Sequence, residues 1–101
     1  MRANLKQKNQ KREASSPGTS HNEAFGTVLA RLRRDRTWSQ ELLGFESNRT
    51  RAYISLLEQG KRSPTLDTQM ALCNALNVSL EEVARLVLAE MQRRSQGPLC
   101  G

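Results

Sequence analysis

The sequence predicts an all-α domain, and three observations carry that prediction. Apolar residues recur at helical spacing, as in Phe25, Val28, Leu29 and Leu32, which fall at i, i+3, i+4 and i+7 on one stripe. Strand-forming and turn-forming material is scarce, with two Phe, one Trp, one Tyr and three Pro, too little for a sandwich or barrel. Short polar segments opening on Ser or Thr, the preferred helix N-caps, separate the periodic stretches. With 101 residues, the chain has room for one hydrophobic core and not for two domains.

Residues 1–20 carry Arg2, Lys6, Lys8, Lys11 and Arg12 against the single acid Glu13. Almost nothing there is apolar, so the segment is expected to be a disordered basic arm. Such an arm either touches the phosphates of a partner or is simply solvated. The first helix is expected from Asn22 to Arg36, capped by Ser20 or Asn22. Arg31, Arg33, Arg34 and Arg36 gather toward its C-terminal end, where cations suit the helix dipole.

A second helix follows from Gln40 to Glu46, with Ser39 as N-cap, Glu41 in the favourable first turn, and Leu42 or Leu43 with Phe45 as its apolar contacts. Asn48 is placed in the turn because Asn tolerates the left-handed backbone region. Thr50 caps a third helix, Arg51 to Gln59, in which Ile54 and Leu57 face inward. Gly60 ends it, and Lys61, Arg62, Ser63 and Pro64 form a basic loop. Thr65 caps a fourth helix, Leu66 to Leu76, with Leu66, Leu72, Cys73 and Leu76 buried, Met70 partly so, and Asn77 at the end. Ser79 and Glu82 make a capping box for a fifth helix, Leu80 to Arg94, with apolar residues at Leu80, Val83, Ala84, Val87, Leu88 and Met91. The folded domain is therefore expected over 21–94, with a flexible tail over 95–101.

The charge of +6, from 16 basic and 10 acidic residues, suits a partner bearing dense negative charge. No apolar run approaches the roughly 18 residues of a membrane span, and residues 1–20 lack the apolar centre of a secretory leader, so a cytoplasmic location is expected. Cys73, Cys100 and His21 have no metal-ligand spacing, and neither metal nor cofactor is expected; Cys73 reads as a small buried hydrophobe. No paired carboxylates beside a histidine, no glycine-rich phosphate loop and no nucleophile motif can be assembled, which argues against an enzyme.

The run Ser39-Gln40-Glu41, Leu43, Asn48, Arg51, Tyr53-Ile54-Ser55, Leu57-Glu58, Gly60-Lys61-Arg62 and Pro64-Thr65-Leu66 resembles the helix-turn-helix of Cro/repressor-type regulators, the Xre family. Ser39 to Ser55 matches without insertion or deletion, and the likeness extends over residues 23–88. The resemblance implies a five-helix phage-repressor-like DNA-binding domain, with its helix-turn-helix proper at 39–59. It also implies a repressor that inserts the helix 51–59 into the major groove of double-stranded DNA, as a homodimer on a palindromic operator.

On this pattern Thr50, Arg51, Ala52 and Leu56 face the bases. Arg51 is suited to guanine O6 and N7, and Ala52, Leu56 and the Thr50 methyl to a thymine methyl group. Ser39, Gln40, Tyr53, Lys61 and Arg62 contact the phosphate backbone. Glu58 pairs with Arg33 in a structural salt bridge. Because the fifth helix outruns the family's core, Val87, Leu88 and Met91 are the expected dimer surface. Two residues depart from the pattern. Asn48 replaces the usual Gly, and Arg49, placed with the DNA-binding residues, replaces an inward-facing Leu, Ile or Val. Either its stem snorkels over the core with the guanidinium outside, or the turn is remodelled. A different role stays open: an antitoxin-like or adaptor protein that binds its own promoter and a protein partner.

Overall fold

Five helices make up residues 20–96, the part of the chain that the computed structural model describes. They are α1 (Ser20–Asp35), α2 (Gln40–Ser47), α3 (Arg51–Glu58), α4 (Leu66–Leu76) and α5 (Leu80–Gln96). No strand occurs among the described residues. The expected basic arm, apart from Ser20, lies outside the described residues, as does most of the expected tail. Its first two residues, Ser95 and Gln96, instead continue α5.

Side-chain caps set most of the boundaries. Ser39 Oγ accepts from Leu42 N at 3.0 Å, Thr50 Oγ1 from Tyr53 N at 3.1 Å, Thr65 Oγ1 from Thr68 N at 3.1 Å and Ser79 Oγ from Glu82 N at 3.0 Å. Each satisfies an orphan donor of a first turn. Asn48 and Asn77 end α2 and α4 in the left-handed region, at φ 59° and 56°, and Gly60, just beyond α3, is at φ 75°. Thr37, at φ 60°, is a further left-handed residue that composition gave no reason to expect. Asn22 does not cap α1: the helix starts at Ser20, which leaves Asn22 buried inside it.

The core joins all five helices through Phe25, Leu29, Leu43, Ile54, Leu57, Leu72, Cys73, Leu76 and Val83. Two expected core residues are outside it. Phe45 is 78% exposed and Leu66 62% exposed. In α2 the inward residue is Leu43, and a position two residues on is rotated by about 200°, to the opposite face. Leu66 begins α4, beyond the edge of the core, and Thr68 is the buried residue of that turn. Backbone approach between α1 and α3 is close enough to require glycine. A Cβ on Gly26 would lie 2.4 Å from the Leu57 carbonyl oxygen and 2.6 Å from that of Glu58.

The long α5 is held along α1 by charge as well as by packing. Glu90, 3% exposed, accepts from Arg93 Nη2 at 2.6 Å, Arg94 Nε at 2.9 Å and Arg31 Nη2 at 3.3 Å. Arg94 reaches on to Thr27 Oγ1 at 2.7 Å and Glu23 at 3.4 Å, both on α1. The hydrogen bond from Arg93 is the largest influence on Glu90; together with Arg94 and Arg31 it outweighs burial and lowers the carboxyl pKa from 4.5 to about 2.

A depressed carboxylate contributes stability that is present above its unfolded pKa and lost as pH falls through its folded one. Thermal melts of the wild type should therefore show Glu90-dependent stability at pH 6 that disappears as pH falls from 4.5 toward 2. Glu90→Gln should melt lower at neutral pH and converge on the wild type in that acid window. Parallel curves from pH 6 to 2 would show that Glu90 supplies none of the acid-sensitive stability.

Candidate nucleic-acid interface

The two faces of α3 differ sharply. Ile54 and Leu57 are fully buried, whereas Thr50, Arg51 and Ala52 at its N-terminal end are exposed, and Tyr53 and Leu56 are half-buried. Thr50 serves as both cap and first residue of this exposed end. The helix closes at Gly60 and Lys61, whose amides donate to Leu57 O at 3.1 Å and Leu56 O at 3.0 Å. Lys61 and Arg62 follow at once, both exposed. The Arg62 guanidinium lies over the Tyr53 ring, 5.5 Å from its centroid, so cation and phenol share one edge of α3.

Glu58 is the acid that would trouble a DNA-binding helix, and its charge is consumed internally. Arg33 Nε donates to Glu58 Oε2 at 2.7 Å and Nη2 to Oε1 at 2.9 Å, a bidentate pair with side chains only 10% and 6% exposed. Arg33 Nη1 donates to the Trp38 carbonyl at 2.7 Å, and Gln40 Nε2 to Glu58 Oε1 at 3.0 Å. The hydrogen bond to Glu58 raises the Arg33 pKa against the effect of burial. One carboxylate thus ties α1, the α1–α2 connection, the first turn of α2 and the end of α3.

The arginine cluster of α1 is mostly a set of cross-links. Besides Arg33, Arg31 reaches Glu90. Arg36 lies 4.9 Å from the Trp38 ring centroid and donates to the Leu76 carbonyl at 3.2 Å. Arg34 is exposed and, like Arg36, has no ion pair among the described residues. Residue spacing cannot reveal these bonds, because their partners are on other helices.

Arg49 is half-buried, and its guanidinium folds back across the turn. Nε and Nη2 each donate to Thr68 Oγ1 at 3.3 Å, and Nη1 donates to Ser47 O at 3.2 Å and Asn48 O at 3.1 Å. Ser39 is exposed, with its hydroxyl used as the α2 cap. On α5, Val87, Leu88 and Met91 line a groove of about 330 Å³ with His21, Phe25 and Pro64, and Leu88 is 64% exposed. No helix among the described residues is long and apolar enough to cross a membrane.

A short capped helix, a left-handed turn and a second capped helix with its N-terminal face free constitute a DNA-binding helix-turn-helix unit. The helix-turn-helix domain family model matches residues 24–86. The chain belongs to that family, among the transcriptional regulators of the Cro/repressor type. It is 41% identical over 58 residues to the uncharacterized HTH-type transcriptional regulator y4dJ of Sinorhizobium fredii, a stretch covering 57% of this chain and 75% of that protein. Its structure is similar to the clp gene regulator ClgR from Corynebacterium glutamicum, with TM-score 0.75, 26% identity, and 83% of this chain and 90% of that one covered. It is also similar to the restriction-modification controller protein C.AhdI from Aeromonas hydrophila, with TM-score 0.63, 32% identity, and 64% of this chain and 98% of that one covered.

Removing one partner of a buried ion pair strands the other charge, at about 3–5 kcal/mol. Glu58→Ala should cost an amount in that range in urea unfolding, and Arg33→Met with Glu58→Leu together should cost less than Glu58→Ala alone. A loss below about 1 kcal/mol for Glu58→Ala would instead place the pair with weak surface bridges.

Proposed function

We propose that this protein is a transcriptional repressor that binds a palindromic operator as a homodimer and inserts α3 into the major groove. The observation that carries the reading is the division of α3, which buries Ile54 and Leu57 completely while leaving Thr50, Arg51 and Ala52 exposed. A major groove admits one α-helix and displays distinguishable base edges. Thr50, Arg51, Ala52 and the half-buried Leu56 are the readers, with Arg51 directed to guanine. Ser39, Tyr53, Lys61 and Arg62 contact phosphates, and Gln40 links that backbone contact to Glu58. The relatives support the regulatory role, since one is a clp gene regulator and another a restriction-modification controller.

The groove beside Val87, Leu88 and Met91 is the proposed dimer surface, because an exposed apolar residue on a helix already fixed by Glu90 presents a preformed face to a second copy. Repression then follows from occupancy of promoter DNA. A second reading, an adaptor that also holds a protein partner, rests on the exposed Leu42 and Phe45 of α2 and Leu66 and Met70 of α4.

Reading and gripping residues should separate in a binding assay with varied salt and sequence. Arg51→Ala should lose about 1–3 kcal/mol and relax the preference at one base pair of each half-site. Lys61→Ala should weaken binding to all duplexes alike and lower the salt slope by about one unit per subunit. An Arg51→Ala protein with unchanged affinity and preference would overturn its reading role. For the dimer, Leu88→Glu should sediment as a monomer and bind a full operator more weakly. A wild type that is monomeric at micromolar concentration, alone and on DNA, would contradict the dimer.

A further inference from the structure

We infer that Arg49 is not a DNA contact but a positioning residue, which with Thr68 pins both ends of the segment that carries the proposed reading and loop contacts. This rests on the proposed function and deepens it. The geometry has three parts. First, the guanidinium is already engaged: its bonds to Thr68 Oγ1, Ser47 O and Asn48 O occupy four of the five N–H donors of an arginine. One N–H remains, so a phosphate could accept a single bond, and the bidentate grip usual for arginine would have to break some of the four.

Second, the partner is built to hold it. Thr68 is 5% exposed and its hydroxyl is also 3.2 Å from that of Thr65, the α4 cap. The acceptor is therefore fixed to the start of a helix whose Leu72, Cys73 and Leu76 are in the core. Third, the bridge spans 19 positions of the chain, and between its ends lie Thr50, all of α3, Gly60, and the basic residues Lys61 and Arg62. The cap Thr50 directly follows Arg49, so a shift of the turn moves the first turn of α3, where Arg51 and Ala52 stand. A shift of Thr65–Thr68 moves the loop that holds Lys61 and Arg62. Closing the segment at its two ends makes reader and loop one rigid unit, in place of the apolar contact that the family pattern puts at this position. An apolar side chain would pack there from any direction. Four directional hydrogen bonds restrict the turn to one orientation.

The test compares wild type with Arg49→Met, which keeps a flexible apolar stem and removes the donors, and with Thr68→Val, Thr68→Ser and the double variant Arg49→Met/Thr68→Val. All are measured below their melting temperatures on a duplex selected by the wild type. Arg49→Met and Thr68→Val should each lose about tenfold in affinity, as expected when hydrogen bonds of ordinary net strength are removed. The double variant should lose no more than either single one, Thr68→Ser should restore wild-type binding, and the salt slope should not change. A phosphate contact would give the opposite pattern, with the slope lowered by about one unit per subunit in Arg49→Met and Thr68→Val without effect. That result, or additive losses, overturns the inference.

A second readout needs no DNA. In the free protein, hydrogen exchange of the Arg49 amide, which donates to Gly44 O at 2.7 Å, and of the Thr68 amide should accelerate together in Arg49→Met and in Thr68→Val. Acceleration confined to the mutated end would show that the two ends are not coupled. If wild-type protein selects no duplex, the proposed function fails, while the exchange measurement still decides whether the clamp exists.

Discussion

The buried pair of Arg33 and Glu58 is the constraint on which the rest of the structure depends. Isolated helices of eight residues, the length of α2 and of α3, do not persist in water because nucleation is costly. Their stability must come from docking, and docking through Leu43, Ile54 and Leu57 alone would permit small rolls of α3 against its neighbours. A bidentate carboxylate–guanidinium pair fixes one orientation. It does so at a desolvation cost that is offset only when the remaining donors and acceptors are satisfied. Here the Trp38 carbonyl and the Gln40 amide supply those partners, and no buried side-chain N or O among the described residues lacks one. The glycine at position 26 supports the same packing, since a Cβ there would meet the Leu57 and Glu58 carbonyl oxygens at 2.4 and 2.6 Å.

Much of the formal charge of +6 does not face outward as a free field. Arg31, Arg33, Arg85, Arg93 and Arg94 pair with carboxylates, and Arg36 and Arg49 are hydrogen-bonded to other parts of the fold. Among the described residues, the cations without such partners are Arg34, Arg51, Lys61 and Arg62. Three of these four adjoin α3. Composition alone pointed to an anionic partner; internal pairing leaves most of the uncommitted cations beside α3, the helix proposed to read DNA. On α5, Arg93 and Arg94 hold Glu90 and Arg94 aligns the helix on α1, while Arg85 pairs with Glu82 one turn away on the same helix.

How much of this could be read in advance depends on the range of the interaction. Caps and helix stops are local, so Ser39, Thr50, Thr65, Asn48 and Asn77 announce themselves through residue type and spacing. The core stripe of α1 is equally legible, because four apolar residues mark one face over two turns. In α2 the period is too short to choose between adjacent apolar residues, and Phe45, the largest of them, faces solvent along with Leu42. Leu66 misleads for a similar reason, being an apolar residue in phase with the core but beyond its edge. Bonds that join distant helices, such as Glu90 with Arg31 or Arg49 with Thr68, leave no periodic trace. The Arg33–Glu58 pairing was accessible only through family resemblance. Gly26 carries no local sign of its role, which is set by a carbonyl on another helix.

Selection of bound sequences from a random DNA pool measures most directly whether this rigidly held α3 reads DNA. Two copies related by a two-fold axis, with α3 in successive major grooves about 34 Å apart, predict enrichment of a palindrome whose half-sites are separated by roughly one helical turn. Arg51 further predicts a guanine at a fixed position in each half-site. Recovery of no common sequence, or of a single asymmetric half-site, would contradict the recognition geometry proposed for this fold.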